Sequence, residues 1–346
     1  MKQHQHQLMN KPLWLGALVV LAGALIALAA CGDNNGGKTV EKLFSPQGNE
    51  LDVYDLDTDA ATVLIESAKN NVNGQACLMP DGSGNFLMAE DTNQPDERQG
   101  WGIFSPDGVL VEKLLEPKTT GEAEQIEPSG CAFDSEGRLF TIDTGTGSFD
   151  ATDGKLVLYF PPDYKTSCLL TTELRTPGDV EVDDAGDVLL PEAVPPGRVL
   201  RFAGPFPASA DECDTVKPAQ STFIEDTDLN TPRGMVRASN GHWYISSVLL
   251  PPAIREYDAD GNFVRVIAAG EDIGNPAGIA VASDGTIYYA DLGLVEKPPP
   301  DFFGPEEGKG TVRKVAFDAN GEPLPPVIIA DGLDYPDSVS VLAVAQ

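Results

Sequence analysis

The sequence is short of basic residues and of histidine. It has 23 Lys and Arg against 54 Asp and Glu in 346 residues, a formal net charge of −31, and three His. Nucleic-acid binding depends on basic side chains that displace the counterions of the phosphates, so the charge argues against this class of function. It also argues against unaided attachment to an anionic membrane. With 41% hydrophobic residues, the chain can still bury a sizeable core.

The scarcity of histidine restricts the possible chemistry. His4 and His6 lie in an N-terminal segment that we expect to be removed, and we interpret His242, next to a turn Gly, as a solvated turn residue. Catalysis by an activated nucleophile, or at a zinc or haem site, typically requires imidazole or clustered Cys. Any catalysis would therefore use carboxylates, Arg or a hard metal ion. The catalytic residues remain unknown from the sequence.

Long hydrophobic runs are also scarce, and the one clear run is at the N terminus. Residues 1–12 carry only positive charge and residues 13–30 are almost wholly apolar, the pattern of a secretory signal. The run ends in Leu-Ala-Ala-Cys31, which resembles the lipobox of bacterial lipoproteins. This resemblance implies cleavage before Cys31 and acylation of its sulfur. The alternatives are secretion with a free Cys and an uncleaved membrane span.

Residues 31–38 are rich in Gly and Asn and are predicted to be a flexible tether. A lipoprotein of this kind is expected in the cell envelope, on the periplasmic side of the outer membrane or at the cell surface. Several acyl chains would give stable anchoring to the membrane.

The rest of the sequence is a repeat. Four segments begin with Pro and reach a Gly nine residues later, at 128–137, 177–186, 232–241 and 276–285. A degenerate copy covers 74–84, and another begins at 336. The copies are 44 to 60 residues apart, which is the spacing of propeller blades.

Each copy predicts short strands and no helix. An apolar run follows the turn Gly, then a third strand, and then a turn that contains Asx-Gly and leads to a fourth strand. We expect these to be type I′ hairpin turns. Four strands make a blade. The N terminus adds three strands, at 40–44, 50–54 and 61–66, and the C terminus adds one, at 338–344. The sequence therefore predicts an all-β, six-bladed propeller over residues 39–346. One blade would combine the three N-terminal strands with the one C-terminal strand and so close the ring, an arrangement called three-plus-one closure.

Two segments carry a family resemblance. Pro276-Ala-Gly-Ile-Ala-Val-Ala-Ser-Asp-Gly-Thr-Ile-Tyr-Tyr-Ala-Asp291 resembles an NHL repeat, and residues 176–186 are similar to the repeats of the gluconolactonase/senescence-marker family. The resemblance covers about residues 40–344. It implies the propeller fold and leaves the activity open.

The gluconolactonase family binds its metal with Glu, Asn and Asp at the residue before the Gly of the first strands. The matching positions here are, approximately, Gln75, Ser129, Gly178, Arg233, Ala277 and Asp337. Of these, Asp337 alone suits a metal, and Arg233 would oppose one. Asp179 lies one residue from its position and can compensate.

Acidic residues recur six positions after the turn Gly, at the predicted ends of the second strands. Together with two acids that enter first strands at the same end of the channel, they form a candidate Ca²⁺ site: Glu90, Asp143, Asp179, Glu192, Asp291 and Asp337. Calcium takes six to eight oxygen ligands, so a ring of carboxylates can bind it. The alternative is that each acid caps backbone amides within its own blade.

Long loops after the second strands predict a binding face at the mouth of the channel. We expect Arg233, Trp101, Phe302 and Phe303 on this face, where the aromatic residues contact a ligand or fix the loop.

Four cysteines follow Cys31, in a compartment that permits disulfides. Cys168 and Cys213 are predicted to pair. Cys77 and Cys131 occupy equivalent positions in adjacent blades, where they can pair or can be small buried hydrophobic residues.

The sequence thus favours a monomeric, lipid-anchored binding or scaffold propeller, whose loop-rich face takes an envelope protein or a glycan. The alternative is a Ca²⁺-dependent hydrolase of the gluconolactonase type, acting on a lactone or ester.

Overall fold

The structure is a computed structural model. It describes residues 39–48, 50–66, 72–90, 100–115, 128–146, 151–249, 251–298 and 303–345. Within these ranges the protein is all-β, with six four-stranded antiparallel sheets, one two-stranded sheet and two 3-10 turns of three residues each. The predicted signal, Cys31 and the tether lie outside the described residues. No described helix is long and apolar enough to cross a lipid bilayer.

The strands follow one another blade by blade. The chain begins with β1 (Thr39–Gln47), β2 (Glu50–Asp55) and β3 (Ala61–Ile65). Blade 2 contains β4 (Val72–Leu78), β5 (Phe86–Glu90), β6 (Gly100–Phe104) and β7 (Leu110–Leu115). Blade 3 contains β8 (Pro128–Phe133), β9 (Leu139–Asp143), β10 (Gly154–Tyr159) and β11 (Ser167–Leu174).

The second half repeats this pattern. Blade 4 contains β12 (Glu181–Val182), β13 (Val188–Glu192), β14 (Arg198–Ala203) and β15 (Ala219–Glu225). Blade 5 contains β16 (Pro232–Arg237), β17 (Trp243–Ser247), β18 (Ala253–Tyr257) and β19 (Phe263–Ala269). Blade 6 begins with β20 (Pro276–Val281) and β21 (Ile287–Asp291), followed by an inserted hairpin of β22 (Leu294–Glu296) and β23 (Phe303–Pro305). It ends with β24 (Gly310–Val315) and β25 (Val327–Leu333), and β26 (Ser340–Ala345) follows.

The ring closes in the predicted three-plus-one manner. Strand β26 is the innermost strand of blade 1 and pairs antiparallel with β1, from Thr39 opposite Ala345 to Phe44 opposite Ser340. The two ends of the chain therefore complete one sheet. This pairing leaves no open blade at the seam of the ring.

Apolar side chains fill the spaces between neighbouring blades. Every residue of the second strands β5, β9, β13, β17 and β21 is buried, because these strands are covered on both faces by adjacent blades. This is why they appear in the sequence as continuous apolar runs rather than as alternating ones.

The hairpin turns differ from the predicted type I′. At the turn after β18, the Gly261 N–H bonds to the Asp258 carbonyl at 3.0 Å, the Asp258 N–H bonds to the Asn262 carbonyl at 2.9 Å, and the positive φ, +83°, falls on Gly261. This geometry is a type I turn followed by a left-handed Gly, with a G1 bulge. The Asp258 carboxylate accepts the N–H groups of Asp260 and Asn262. The same use of Asp in other turns accounts for part of the acidity.

The ring has two ends. The mouth face is the end at which first strands begin and second strands finish. The turn face is the opposite end, which carries the hairpin turns that follow the first and third strands.

Candidate functional site

The recurrent acids lie where the sequence placed them, at the mouth end of the second strands. Glu90, Asp143, Glu192 and Asp291 are the last residues of β5, β9, β13 and β21, and Ser247 is the last of β17. We call the four acids the strand-end acids.

Three of the strand-end acids lie opposite the Pro that begins their repeat. The cross-strand partners are Pro128 with Asp143, Pro177 with Glu192, and Pro276 with Asp291; Pro232 faces Ser247 in the same way. Proline has no N–H to donate to the ladder. The ladder therefore lacks a donor at this position, and the acid side chain can instead fix the chain here by accepting hydrogen bonds from other backbone N–H groups.

Those hydrogen bonds are made. Asp291 accepts the N–H of Asn275 at 2.7 Å, and Glu192 accepts the N–H of Arg175 at 2.8 Å. Both donors belong to the segment that leads into the first strand of the same blade. In blade 3 the donor is instead Gly145, which lies 2.7 Å from Asp143 and follows the second strand. These acids thus fix the chain where it enters or leaves the ladder.

Each strand-end acid also has a basic partner in its own blade. The pairs are Glu90 with Lys113 at 3.0 Å, Asp143 with Lys155 at 3.1 Å, Glu192 with Arg198 at 2.5 Å, and Asp291 with Arg313 at 2.7 Å. The carboxylates are almost fully buried. A buried carboxylate needs such a partner, because desolvation of an unpaired charge is strongly unfavourable.

These donors do not fit a calcium ion. Their charge is already balanced, and a divalent cation would have to displace an ammonium or guanidinium group from each of them. In the portion of the chain that the structure describes, no group of three or more His, Cys, Asp or Glu side chains is arranged to hold a metal. The six candidate ligands are therefore not brought together into one site.

The two remaining candidates, Asp179 and Asp337, lie at the mouth ends of first strands and are buried. The Met235 N–H donates to Asp179 Oδ2 at 3.0 Å and the Val180 N–H to Oδ1 at 2.8 Å. Burial raises the pKa of Asp179 to about 7, although the two N–H groups and Arg233 oppose the shift.

Asp337, at the entry to blade 1, contacts three other blades. Its Oδ1 accepts the Gly74 N–H at 3.3 Å, its carbonyl accepts the Gly278 N–H at 2.9 Å, and its Oδ2 lies 3.8 Å from Nη2 of Arg233. Arg233 is half-buried, as its 18% exposed side chain shows. Asp179, Arg233 and Asp337 therefore form a charged group at the channel mouth.

A further acid in the channel, Glu181, was not singled out from the sequence. It is half-buried and borders a cavity of about 260 Å³ that is lined by the first strands of all six blades. Burial raises the pKa of Glu181 well above its usual value, the Asp179 charge raises it further, and Arg237 lowers it. Alternation along the strand was the available signal. Val180 and Val182 pack between blades 3 and 4, so Glu181, which lies between them, faces the other way.

The residues that we expected on the loop face do not all lie there. Trp101 is fully buried in β6 among Leu87 and Tyr159, so its placement on a ligand face was wrong. It lies at an interior position of a third strand, between blades 2 and 3. Phe303 is 42% exposed on the inserted hairpin at the mouth side. Phe302 lies outside the described residues.

His242 is not a purely solvated turn residue. It is half-buried, and its Nδ1 lies 2.7 Å from Oε1 of the buried Glu256. Arg265 pairs with the other oxygen of Glu256 at 2.6 Å. The single histidine among the described residues thus contacts the acid of the Glu256–Arg265 ion pair near the turn face.

Both cysteine pairs are disulfides. Cys168 of β11 is joined to Cys213, which precedes β15, and this pairing is the one expected from the sequence. Cys77 and Cys131, for which the sequence left two alternatives, are joined across the first strands of blades 2 and 3.

The fold and site define a class: a six-bladed β-propeller whose mouth is held by internal ion pairs. A search with protein-family models and a search of curated proteins each found no match to the chain.

Solved structures with a similar fold include a chain of the nidogen/laminin complex, with a TM-score of 0.58 and 12% identity, covering 87% of this chain and 98% of that one. They also include a gluconolactonase from Xanthomonas campestris, with a TM-score of 0.52 and 14% identity, covering 70% and 75%. A Bacteroides caccae protein of unknown function has a TM-score of 0.53 and 11% identity, covering 87% and 98%. These likenesses confirm the resemblance to NHL-repeat and gluconolactonase propellers at the level of the fold.

Proposed function

We propose that the protein is a lipid-anchored binding module of the cell envelope, and that its mouth face takes up an envelope protein or a glycan. The observation that carries the proposal is the state of the strand-end acids. Each is neutralised by a base of its own blade. Because these acids are already paired, we expect them to make the mouth a rigid support for the loops rather than to serve as metal ligands.

The described part of the chain begins at the turn face. Strand β1 is the second strand of blade 1, so it runs from the turn face to the mouth face. Its first residue, Thr39, pairs with Ala345 at the turn face. The propeller chain therefore begins at the end of the ring opposite the loops of the mouth face.

The charge of the turn face supports a covalent anchor. Hydrogen bonds from neighbouring side-chain and backbone groups hold the pKa values of Asp55, Asp258 and Asp318 below the ordinary value, so these turn residues stay ionised. An anionic lipid surface repels such a face. Attachment then rests on the acyl chains of Cys31, which give stable anchoring when there is more than one.

A hydrolase of the gluconolactonase type is the second candidate. It is favoured by the fold shared with a gluconolactonase and by Asp179, whose raised pKa suits a group that donates a proton near neutral pH. The donor set described above does not fit Ca²⁺, so we assign no metal-dependent step to these residues.

Anchoring is tested by expressing the full chain and its Cys31→Ser variant with radiolabelled palmitate. We expect the wild type to be labelled and membrane-bound, and the variant to be unlabelled. An unlabelled wild type, or a variant that is still processed and labelled, would contradict the proposal. Protease protection of a tag placed in the Asp258–Asn262 turn would report which face lies near the membrane.

Binding and hydrolysis are separated by two measurements, one in cells and one on the purified protein. A photo-crosslinking residue at Phe303, on the mouth side, is expected to give a defined adduct in cells, whereas the same residue at Asp260, on the turn face, is not. In parallel, hydrolysis of glucono-δ-lactone is expected to stay at the uncatalysed rate with or without Ca²⁺. Turnover that disappears in Asp179→Asn would instead establish the hydrolase.

A further inference from the structure

The cavity bordered by Glu181 lies in the turn-side half of the central channel. In β4, β8 and β20 the residues that line it are at the carboxyl ends of the strands, which lie toward the turn face: Gln75–Leu78, Cys131–Phe133 and Ile279–Val281. Its volume is about 260 Å³. An engineered protein cavity of about 150 Å³ already holds benzene. The cavity is therefore large enough for a small organic molecule.

Most of the residues that line the cavity are apolar, such as Leu78 and Val236. The polar ones are Gln75, Ser340 and Glu181, and within the described part of the chain no Lys, Arg or His belongs to the lining. Small-molecule sites are typically apolar pockets with a few polar groups that fix the orientation of the ligand. Here a single carboxylate provides the charge.

Glu181 differs from the strand-end acids, because it has no base of its own. Among the described residues its carboxylate makes no hydrogen bond and no ion pair. Arg237 acts on its charge from a distance, but Nη1 of Arg237 lies 2.5 Å from Oδ1 of Asp184 and is bound there. Asp179, two residues earlier, adds negative charge. An unpaired carboxylate in such a place favours the uptake of a counter-charge.

The chemistry of the cavity favours an organic cation over a metal ion. A hard ion such as Ca²⁺ takes six to eight oxygen ligands, whereas this lining offers one carboxylate beside apolar walls. A primary ammonium group can donate its hydrogen bonds to one carboxylate. The carbon chain that carries the ammonium group would at the same time bury its surface against the walls.

The way into the cavity also favours a cation. The hairpin turns that follow the first strands surround the turn end of the channel, and they include Asp81 and Asp284, both exposed. The whole chain carries a formal net charge of −31. Such a field raises the local concentration of small cations.

We propose that the turn-side half of the channel is a binding site for a small organic cation, a primary amine with a short apolar body, whose ammonium group pairs with Glu181. The site lies at the opposite end of the channel from the mouth face. It therefore does not depend on the partner proposed for that face.

The test compares a charged probe with its neutral counterpart. Titrations followed by saturation-transfer NMR give the Kd of the purified protein for n-butylammonium and for 1-butanol, which share the same carbon chain. We expect the wild type to bind n-butylammonium about tenfold more tightly or better, because a hydrogen bond between charged groups contributes more than one to a hydroxyl. The variant Glu181→Gln keeps the size of the side chain and should lose this preference.

Asp284→Asn is the matched control. It removes the same single negative charge from the turn side, but Asp284 is exposed and is not part of the lining. We expect its Kd for n-butylammonium to change by less than about twofold, since water screens the charge of an exposed group.

Each outcome supports or overturns the proposal. Equal binding of the amine and the alcohol by the wild type, or a preference that survives in Glu181→Gln, would overturn it. An equal loss in Asp284→Asn and Glu181→Gln would show general attraction to an acidic protein and would overturn it as well. If Glu181→Gln does not fold, the wild type decides: a tenfold preference for the amine supports the proposal, and no preference overturns it.

Discussion

Asp143 and Lys155 stand directly opposite each other on β9 and β10, both buried, with the Lys155 ammonium 3.1 Å from Oδ2 of Asp143. Glu192 and Arg198 are cross-strand partners in the same way in blade 4. These pairs neutralise the strand-end acids of blades 3 and 4 locally. The charge of the strand-end acids is thus balanced within their own blades rather than by a shared ion.

Breaking the buried pair of blade 3 should be strongly destabilising. Lys155→Met leaves the Asp143 carboxylate buried without its ammonium partner, and we expect the free energy of unfolding to fall by about 3–5 kcal/mol. Chemical denaturation measures the change. The double variant Asp143→Leu/Lys155→Met should recover most of the loss, because it removes the unpaired charge.

A surface pair serves as the control for that prediction. Lys165 pairs with Glu112 at 3.1 Å with 62% of its side chain exposed. Lys165→Met should change stability far less than Lys155→Met, since water screens exposed pairs. Equal losses for Lys155→Met and Lys165→Met would show that burial of the Asp143 pair is not what matters.

The Gly of the first strands permits close contact between neighbouring blades. A Cβ on Gly234 would overlap the carbonyl oxygen of Ala277 on the next first strand, so Gly234→Ala should destabilise by about 3 kcal/mol. Gly285→Ala is the matched control. It has a φ of +89° and open space around it, so it should lose only about 1 kcal/mol through backbone strain. Comparable losses in the two variants would contradict the contact.

The raised pKa of Asp179 predicts a pH dependence. An acid whose pKa rises on folding from 3.8 to about 7 favours the folded state at low pH. That contribution falls by about 1.4 kcal/mol per pH unit as the pH rises through this window. Asp179→Asn should therefore lose stability less steeply between about pH 4 and pH 7. Urea unfolding at a series of pH values gives the slopes.

Asp258→Asn provides the contrasting case. Hydrogen bonds with the Asn262 side chain and backbone lower the pKa of Asp258, so its contribution to stability is present above the ordinary pKa and is lost as the pH falls below about 4. Its substitution should leave the slope between about pH 4 and pH 7 unchanged. An altered slope in this variant would mean that the Asp179 result reflects net charge alone.

The two disulfides should contribute similar stability if loop closure is the main effect. Cys77–Cys131 closes a separation of 54 residues and Cys168–Cys213 one of 45, and loops of this size give about 4 kcal/mol. The variants Cys77→Ala/Cys131→Ala and Cys168→Ala/Cys213→Ala should therefore have similar losses in denaturant unfolding. A much larger loss for the first pair would show that packing at the first strands dominates.

The repeats allowed most of the fold to be predicted, because a blade is specified locally. Each copy carries its own Pro, its turn Gly and an apolar run, so strand order and ring closure followed from the sequence. The turn type did not, because Asx-Gly suits either a type I′ turn or a type I turn with a left-handed Gly. The hairpin of β22 and β23 was also missed, because its strands are only three residues long.

The sequence by itself determined the six-bladed propeller, the place of an acid at the end of the second strands, and the partners Cys168 and Cys213. Only the tertiary structure decided what those acids do. Lys155 lies opposite Asp143 because of strand register, and Arg233 reaches Asp337 because ring closure brings blade 1 to the far side of blade 6. A carboxylate's chemistry depends on which charges lie within a few ångströms of it, and the packing of the blades sets those distances.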